Sequence, residues 1–408
     1  MPDVTVSPCG SYDAKAVYTA LERALEPLGG LDWVLPGMRI AIKANLVTAA
    51  RPGAAATTHP ALLTALTRLL KARGATVVIG DSPGGPYTAA FVNHVYAAAG
   101  LSDCEAAGAQ LNSDFSQSEA RFDAAVRLKR FVYTAYLDHA DAIINVCKLK
   151  SHGMMGMSAA VKNLFGTIPG TVKPEYHFRF PEQRAFANML VDLSEFFQPR
   201  LCIADAIVAM EGNGPTRGTP RRIGCLLASR SPYALDLCCA RLIGLTADDV
   251  PTLRVAFERG LSPQTAESLE ILFAGSGGIA PGGAADFGVL CVPDFERSKS
   301  SSDLQFQNRL PGVFGTCFAA VAKWALSSVP ACKRDACTGC GKCASICPAG
   351  AITMAHGRPV VRRKDCIRCF CCQEFCPAGA MRVKRPLPAQ LLGGRQAALS
   401  GRRLKIRG

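Results

Sequence analysis

Apolar residues recur along the chain at two alternating periods, and the alternation itself points to a fold class. Val17, Leu21, Ala24, Leu25 and Leu28 fall at helical spacing across residues 14–28, and the run from Met38 to Val47 then predicts a strand that leaves Lys43, Ala44 and Asn45 at its end. A helix is expected from about His59, carried by Leu62, Leu63, Leu66, Leu69 and Leu70 and closed by Gly74. Thr76 to Ile79 reads as a buried strand running into the acidic, glycine-rich segment Gly80-Asp81-Ser82-Pro83-Gly84-Gly85. Further strands are expected at 141–146, 201–204 and 222–229, with a helix over 182–197 and another holding Asp236. Helix and strand in alternation predict an α/β domain with a mainly parallel or mixed sheet, whose ligands belong beyond the carboxyl ends of the strands.

The periodicity ends in a doubled cysteine run. Cys337, Cys340, Cys343 and Cys347, closed by Pro348, fit C-x2-C-x2-C-x3-C-P, and Cys366, Cys369, Cys372 and Cys376, closed by Pro377, fit it again. A single run of this kind is also compatible with zinc, but two such runs with short spacing match the bacterial ferredoxin pattern for 4Fe-4S clusters. In that pattern the fourth thiolate of each run reaches the other cluster, so one set is Cys337, Cys340, Cys343 and Cys376 and the other Cys366, Cys369, Cys372 and Cys347. The tight loops this requires are eased by Gly339 and Gly341. Cys332 and Cys371 are expected to be spare, packed thiols. The domain organisation that follows is an α/β domain at 1–310, a connecting helix at 311–330, a small ferredoxin-like two-cluster domain at 331–384 and a basic tail at 385–408.

Composition changes this picture in two ways. Nineteen cysteines in 408 residues would suggest a disulfide scaffold in a small secreted domain, but eight belong to the runs and the rest are scattered, as reduced core thiols are. No basic and apolar leader precedes Val4-Thr5-Val6, and the apolar stretch 313–329 is short and broken by Lys323, so no membrane span and a cytoplasmic protein are expected. The net charge of +14 is confined to one end: from residue 321 onward there are 17 Lys and Arg against three acids, which leaves residues 1–320 neutral. That excess offsets the anionic charge of the clusters and offers a docking face to an acidic electron donor of the ferredoxin or flavodoxin type. Nucleic acid is disfavoured, because the basic residues lack interleaved aromatics.

The α/β domain concentrates polar residues at its expected strand ends. Lys148, Lys150, His152 and His177 are the candidate catalytic groups, the histidines as proton donors near neutral pH. Lys43, Asn45, Lys162, Asn163, Asp205 and Glu211 are the candidate substrate-binding groups, and this many cations on loops suits a small anionic ligand. Each histidine also has a structural and a metal-ligand reading. Neither glycine-rich loop fits a nucleotide fingerprint, and a flavin, although chemically useful beside one-electron carriers, has no residue pattern that calls for it.

Several of these stretches resemble a known family. Ile42 to Val47, Thr58-His59-Pro60, Gly80 to Gly84, Lys148 to His152, Ala160 to Gly166 and Met210 to Pro215 look like the domain of unknown function 362 family, with Lys162-Asn163-Leu164-Phe165-Gly166 the most specific block. Ala44 replaces the usual proline and Ser151 a common threonine. The resemblance spans about residues 30–380 and implies an iron-sulfur protein with a polar pocket, without a defined reaction. The leading expectation is an iron-sulfur reductase that passes single electrons to a small anionic substrate. A ferredoxin-like carrier or docking protein and a redox sensor are the alternatives.

Overall fold

The structure, a computed structural model, describes residues 1–275, 277–281, 288–298 and 329–384. The chain divides into two compact units, residues 1–296 and 297–408. The expected boundary at 310, almost all of the connecting helix at 311–330 and the basic tail at 385–408 lie outside the described residues; positions 329 and 330 belong to a strand.

The first unit is built on a ten-stranded mixed sheet. Its strands are β1 (Val4–Pro8), β2 (Arg39–Lys43), β3 (Thr76–Gly80), β4 (Gln110–Leu111), β7 (Ala142–His152), β8 (Gly156–Ser158), β9 (Leu201–Glu211), β10 (Thr219–Ser229), β11 (Ile271–Gly275) and β12 (Gly278–Pro281). The order is β12-β11-β1-β10-β9-β7-β2-β3-β4, with β8 folded back on β7. The central pairs β3 with β2, β2 with β7 and β7 with β9 are parallel, whereas β10 runs antiparallel to both β9 and β1. A separate hairpin joins β5 (Gln117–Arg121) to β6 (Arg130–Thr134).

The helices cover both faces. Strand side chains alternate between them, so Ile40, Ile42, Ile144, Val146, Ile203 and Leu226 join one core with α1 (Ala14–Leu25) and α2 (Pro60–Ala72). On the other face Cys147, Leu149, Cys202, Ala204, Cys225 and Leu227 pack with α8 (Pro232–Leu242). Burial on both faces explains why these strands read as apolar runs without a polar side. Shorter helices α3 (Ala89–Ala98), α4 (Ser102–Ala106), α5 (Ala160–Asn163) and α6 (Lys173–Arg179), with α7 (Gln183–Phe197) and α9 (Pro251–Glu258), complete the unit. The cysteines of this unit are free thiols, all buried except the half-buried Cys291.

The largest departure from expectation concerns strand length. The periodicity ends the strands near Val146 and Ala204, but β7 continues to His152 and β9 to Glu211. Lys148, Lys150, His152 and Asp205 therefore sit inside strands and not on loops. The apolar pattern stops early because the core itself becomes polar there: Lys148 and Asp205 pair with each other across the sheet, and Lys150 is held by Asn45 and the Ala56 carbonyl.

In the second unit, β13 (Val329–Cys332) pairs with β16 (Met381–Lys384), and β14 (Ile352–Ala355) with β15 (Arg358–Val361). Two short helices, α10 (Lys342–Ser345) and α11 (Cys371–Glu374), follow the two cysteine loops. Gly339 and Gly341 take positive φ of 73° and 71°, and the equivalent positions of the second run, Arg368 and Phe370, take 58° and 59°. The loop conformation is thus the same in both runs, although only the first has glycines to relieve it.

One carboxylate fastens a long excursion of the first unit to its core. Asp192 of α7, 1% exposed, accepts the amides of Val126, Arg127 and Leu128 and pairs with Arg259 at 2.9 Å. Asp192→Ala is expected to lower stability by about 3–5 kcal/mol, as for the loss of one partner of a buried ion pair. Urea unfolding measures it, with faster hydrogen exchange at the 126–128 amides as the local signature.

Candidate functional site

At the carboxyl ends of β2, β7 and β9, three buried lysines are each held differently. Lys43, fully buried, pairs with Asp81 at 2.8 Å and donates to the Ala44 carbonyl. Lys148 pairs with Asp205 at 2.9 Å and donates to the Tyr12 hydroxyl at 2.7 Å. Lys150 donates to Asn45 Oδ1 and to the Ala56 carbonyl, both at 2.8 Å. Burial pushes the pKa of Lys43 and Lys148 down, and the adjacent carboxylate pulls each back toward the charged form. A buried ion pair with further hydrogen bonds is the arrangement in which such charges persist.

Asparagines connect these lysines. Asn45 Nδ2 donates to Asn163 Oδ1 at 2.9 Å, Asn163 Nδ2 donates to Asn145 Oδ1 at 2.7 Å, and Asn145 Nδ2 donates to the Ala160 carbonyl at 2.9 Å. Asp236 of α8 then accepts the amides of Ala160 and Val161, which fixes the first turn of α5, while burial raises its pKa to about 7. The Lys-Asn-Leu-Phe-Gly block supplies the centre of this network. A Cβ on Gly166 would lie 2.1 Å from Asp81 Oδ1 and 2.5 Å from Lys43 Nζ, and the Gly166 carbonyl accepts the Ser82 amide. Only glycine lets that backbone close over the ion pair.

Two groups of reactive side chains flank the network. On the face shared with α1 and α2, Asp205 accepts from Tyr12 at 2.7 Å and from the His59 amide at 3.0 Å. The Tyr12 and His59 rings stack 3.5 Å apart. Burial holds the Tyr12 hydroxyl well above its usual range and lowers His59 to about 4. Sequence reasoning passed over Tyr12, because a single tyrosine before a helix carries no pattern.

The other group contains His152 and His177, only 5% and 3% exposed. His152 Nδ1 accepts the amides of Met154 and Met155, both at 3.1 Å, so its proton resides on Nε2, which has no hydrogen-bond partner. His177 stacks on Phe186 at 4.3 Å and its Nδ1 is also without a partner. Burial, then Lys162, His177 and Lys150, depress His152 well below the usual imidazole range. Burial, then Lys162 and Lys173, push His177 down to about 3. Both shifts favour the neutral imidazole at pH 7. Lys162 lies over the Phe165 ring at 4.7 Å and Lys173 reaches the Ser82 carbonyl. Glu211 stands apart in its bonding: it pairs with Arg221 at 3.8 Å and accepts the Glu296 amide.

In the second unit, Cys337, Cys340, Cys343 and Cys376 line one cavity, together with Cys332 and the apolar Pro377, Ala380 and Met381. Cys372 lies within electrostatic reach of Cys369, Cys366 and Cys347. The chain thus gathers the fourth cysteine of each run with the first three of the other. Backbone amides serve the sulfurs, from Ala351 to Cys347 at 3.3 Å and from Ala380 to Cys376 at 3.2 Å. Soft thiolates around a space lined by apolar atoms, with amides aimed at sulfur, fit an iron-sulfur cluster. Among the described residues, no three His, Cys, Asp or Glu side chains converge tightly enough for a single metal ion.

Comparison with known proteins gives each unit its own match. A family model described as a domain of unknown function (DUF362) matches residues 40–241, which include every lysine, asparagine and carboxylate of the network from Lys43 to Asp236. A 4Fe-4S dicluster domain matches residues 331–377, from just before Cys332 to just past Cys376. The chain is 35% identical over 264 residues to the "Thylakoid-associated protein" of Synechocystis sp., covering 63% of this chain and 79% of that protein. Looser likenesses are to the lactate racemase apoprotein from Thermoanaerobacterium thermosaccharolyticum (13% identity, TM-score 0.38, 58% of this chain and 56% of that one) and to a structural-genomics protein from Thermotoga maritima (14%, 0.32, 48% and 51%). The chain spans about half the length of each of these two. No helix among the described residues is long and apolar enough to cross a membrane.

Two outcomes follow from the geometry. Gly166→Ala forces a methyl into the Lys43–Asp81 pair and is expected to cost at least about 1–3 kcal/mol in urea unfolding, whereas Gly53→Ala, with nothing within 4 Å, is expected to be neutral. For His177, the unfolded imidazole binds a proton near pH 6.5 but the folded one only near 3, so stability falls as pH drops through that window. Between pH 7 and 5 its share is about 2 kcal/mol, and His177→Phe is expected to remove that share from the measured pH dependence.

Proposed function

The chain belongs to the family of the domain of unknown function (DUF362) and carries a 4Fe-4S cluster-binding domain, and on that premise we propose that it is an iron-sulfur reductase acting on a small organic anion held in the α/β unit. One observation carries the reading. His152 Nε2 and His177 Nδ1 are buried without partners in a neighbourhood whose charges are Lys150, Lys162 and Lys173. A buried polar atom without a partner costs about 1–3 kcal/mol, and a ligand oxygen at His152 Nε2 would relieve it. Among the described residues these lysines are the cations beside the two rings, which suits a carboxylate.

The residues divide the work by their chemistry. Lys162 and Lys173 bring positive charge to the anion, while His152, neutral and fixed as the Nε2–H tautomer, donates a hydrogen bond that strengthens as electron density builds on a substrate oxygen. Lys43, Lys148, Asp205, Asn45 and Asn163 are saturated by one another and hold the frame. Two 4Fe-4S clusters, held by Cys337, Cys340, Cys343 and Cys376 and by Cys366, Cys369, Cys372 and Cys347, would supply electrons one at a time. The 17 basic residues beyond position 320 suit an acidic protein donor of the ferredoxin or flavodoxin type.

The test is anaerobic: protein with assembled clusters is reduced with dithionite, freed of excess reductant and mixed with a panel of unsaturated carboxylic acids. Reoxidation in the visible spectrum by one of them is expected, slowed about 10²–10³-fold in His152→Ala, the usual cost of losing one such donor, with the cluster spectrum unchanged. Equal rates in the variant would remove His152 from the site. Reoxidation by an oxidised ferredoxin but by none of the acids would favour the carrier reading.

A further inference from the structure

Cys332 lies outside both cysteine runs, five residues before the first, and its spacing marks it as a packed spare. Its position says otherwise. Cys332 lines the same cavity as Cys337, Cys340, Cys343 and Cys376. It ends β13, whose pairing with β16 sets Cys332 opposite Met381, and the neighbouring Lys333 amide is bonded to the Ala380 carbonyl. The Ala380 amide in turn donates to Cys376 Sγ, so the strand that carries the fifth thiol is fastened to the loop that carries the fourth ligand. The Cys332 thiol is within hydrogen-bonding reach of the Cys337 sulfur.

We propose that Cys332 is a reserve ligand of the first cluster, able to replace Cys337 on the same iron. The exchange balances without a redox partner. The iron–sulfur bond to Cys337 breaks and one to Cys332 forms, while the proton moves from the Cys332 thiol to the departing Cys337 thiolate. The net charge of the site is unchanged, and both residues line the same cavity. In the resting protein the same thiol is positioned to donate to the Cys337 sulfur, an interaction of the kind that tunes cluster potential. Among the described residues the second run has no counterpart placed this way: its spare thiol, Cys371, is fully buried in the first turn of α11, directly beside the ligand position Cys372.

The test uses the full chain, with clusters assembled anaerobically, and reads iron per chain and the EPR spectrum after reduction. Cys332→Ala is expected to retain full iron. Cys337→Ala is expected to retain it as well, with an altered EPR signal, and the Cys332→Ala/Cys337→Ala double variant to lose about half. Alkylation with iodoacetamide followed by mass spectrometry separates ligand loss from misfolding: Cys332 is modified in the wild-type protein and protected in Cys337→Ala. Cys337→Ala losing as much iron as the double variant, or Cys332 remaining equally reactive in both backgrounds, would overturn the proposal.

Discussion

The Lys43–Asp81 ion pair is the interaction on which the α/β unit depends. It is buried at the carboxyl end of the central parallel strands, where β2 and β3 stop being able to cover one another with apolar side chains. Two charges in such a place persist only if every remaining valence is used. Asp81 accordingly takes the Leu46 and Ser82 amides, and Lys43 takes the Ala44 carbonyl and Asn163. Asn163 then requires Asn45 and Asn145, and Asn45 requires Lys150. Each member is fixed by the demand of the one before it, which is how a stretch of β7 that looks like an exposed loop becomes core.

The same demand separates frame from site. Groups that close the network have no capacity left for a ligand, whereas His152 Nε2 and His177 Nδ1 face a neighbourhood the network does not complete. The two kinds lie side by side on β7: Lys148 and Lys150 are consumed, and His152, two residues on, is not. A lysine with a carboxylate at 2.9 Å and a tyrosine at 2.7 Å serves position and rigidity, and its removal would report on stability before it reported on turnover.

Much of the architecture was legible in the sequence because apolar periodicity encodes it directly: α1, α2, α7 and the starts of β2, β7 and β9 fall where the pattern puts them. The cysteine runs were legible for a different reason, since ligand geometry dictates spacing regardless of fold. What could not be read was burial of the polar residues. Lys148, Lys150 and Asp205 carry the composition of a surface loop, and only the pairing of β7 with β9, which places Lys148 opposite Asp205, shows that those two neutralise one another. Tyr12 and Asn145 were missed for the same reason, because each matters through a partner that local periodicity does not show, Asp205 for one and Asn163 for the other.

The neutrality of the histidines narrows the chemistry more than their presence does. An imidazolium beside Lys162 and Lys173 would add positive charge to a site already rich in it, and burial removes the water that would screen the repulsion. Both rings are thereby held below the usual imidazole range, which disfavours an imidazolium at pH 7. A reaction that builds negative charge on an oxygen, as electron addition to an unsaturated acid does, needs a fixed dipole and nearby cations in place of a strong acid, and the protonation states imposed by burial meet that need. The same reasoning applies at the other unit, where 20 basic residues and sulfur-directed amides accompany thiolates that would otherwise repel one another.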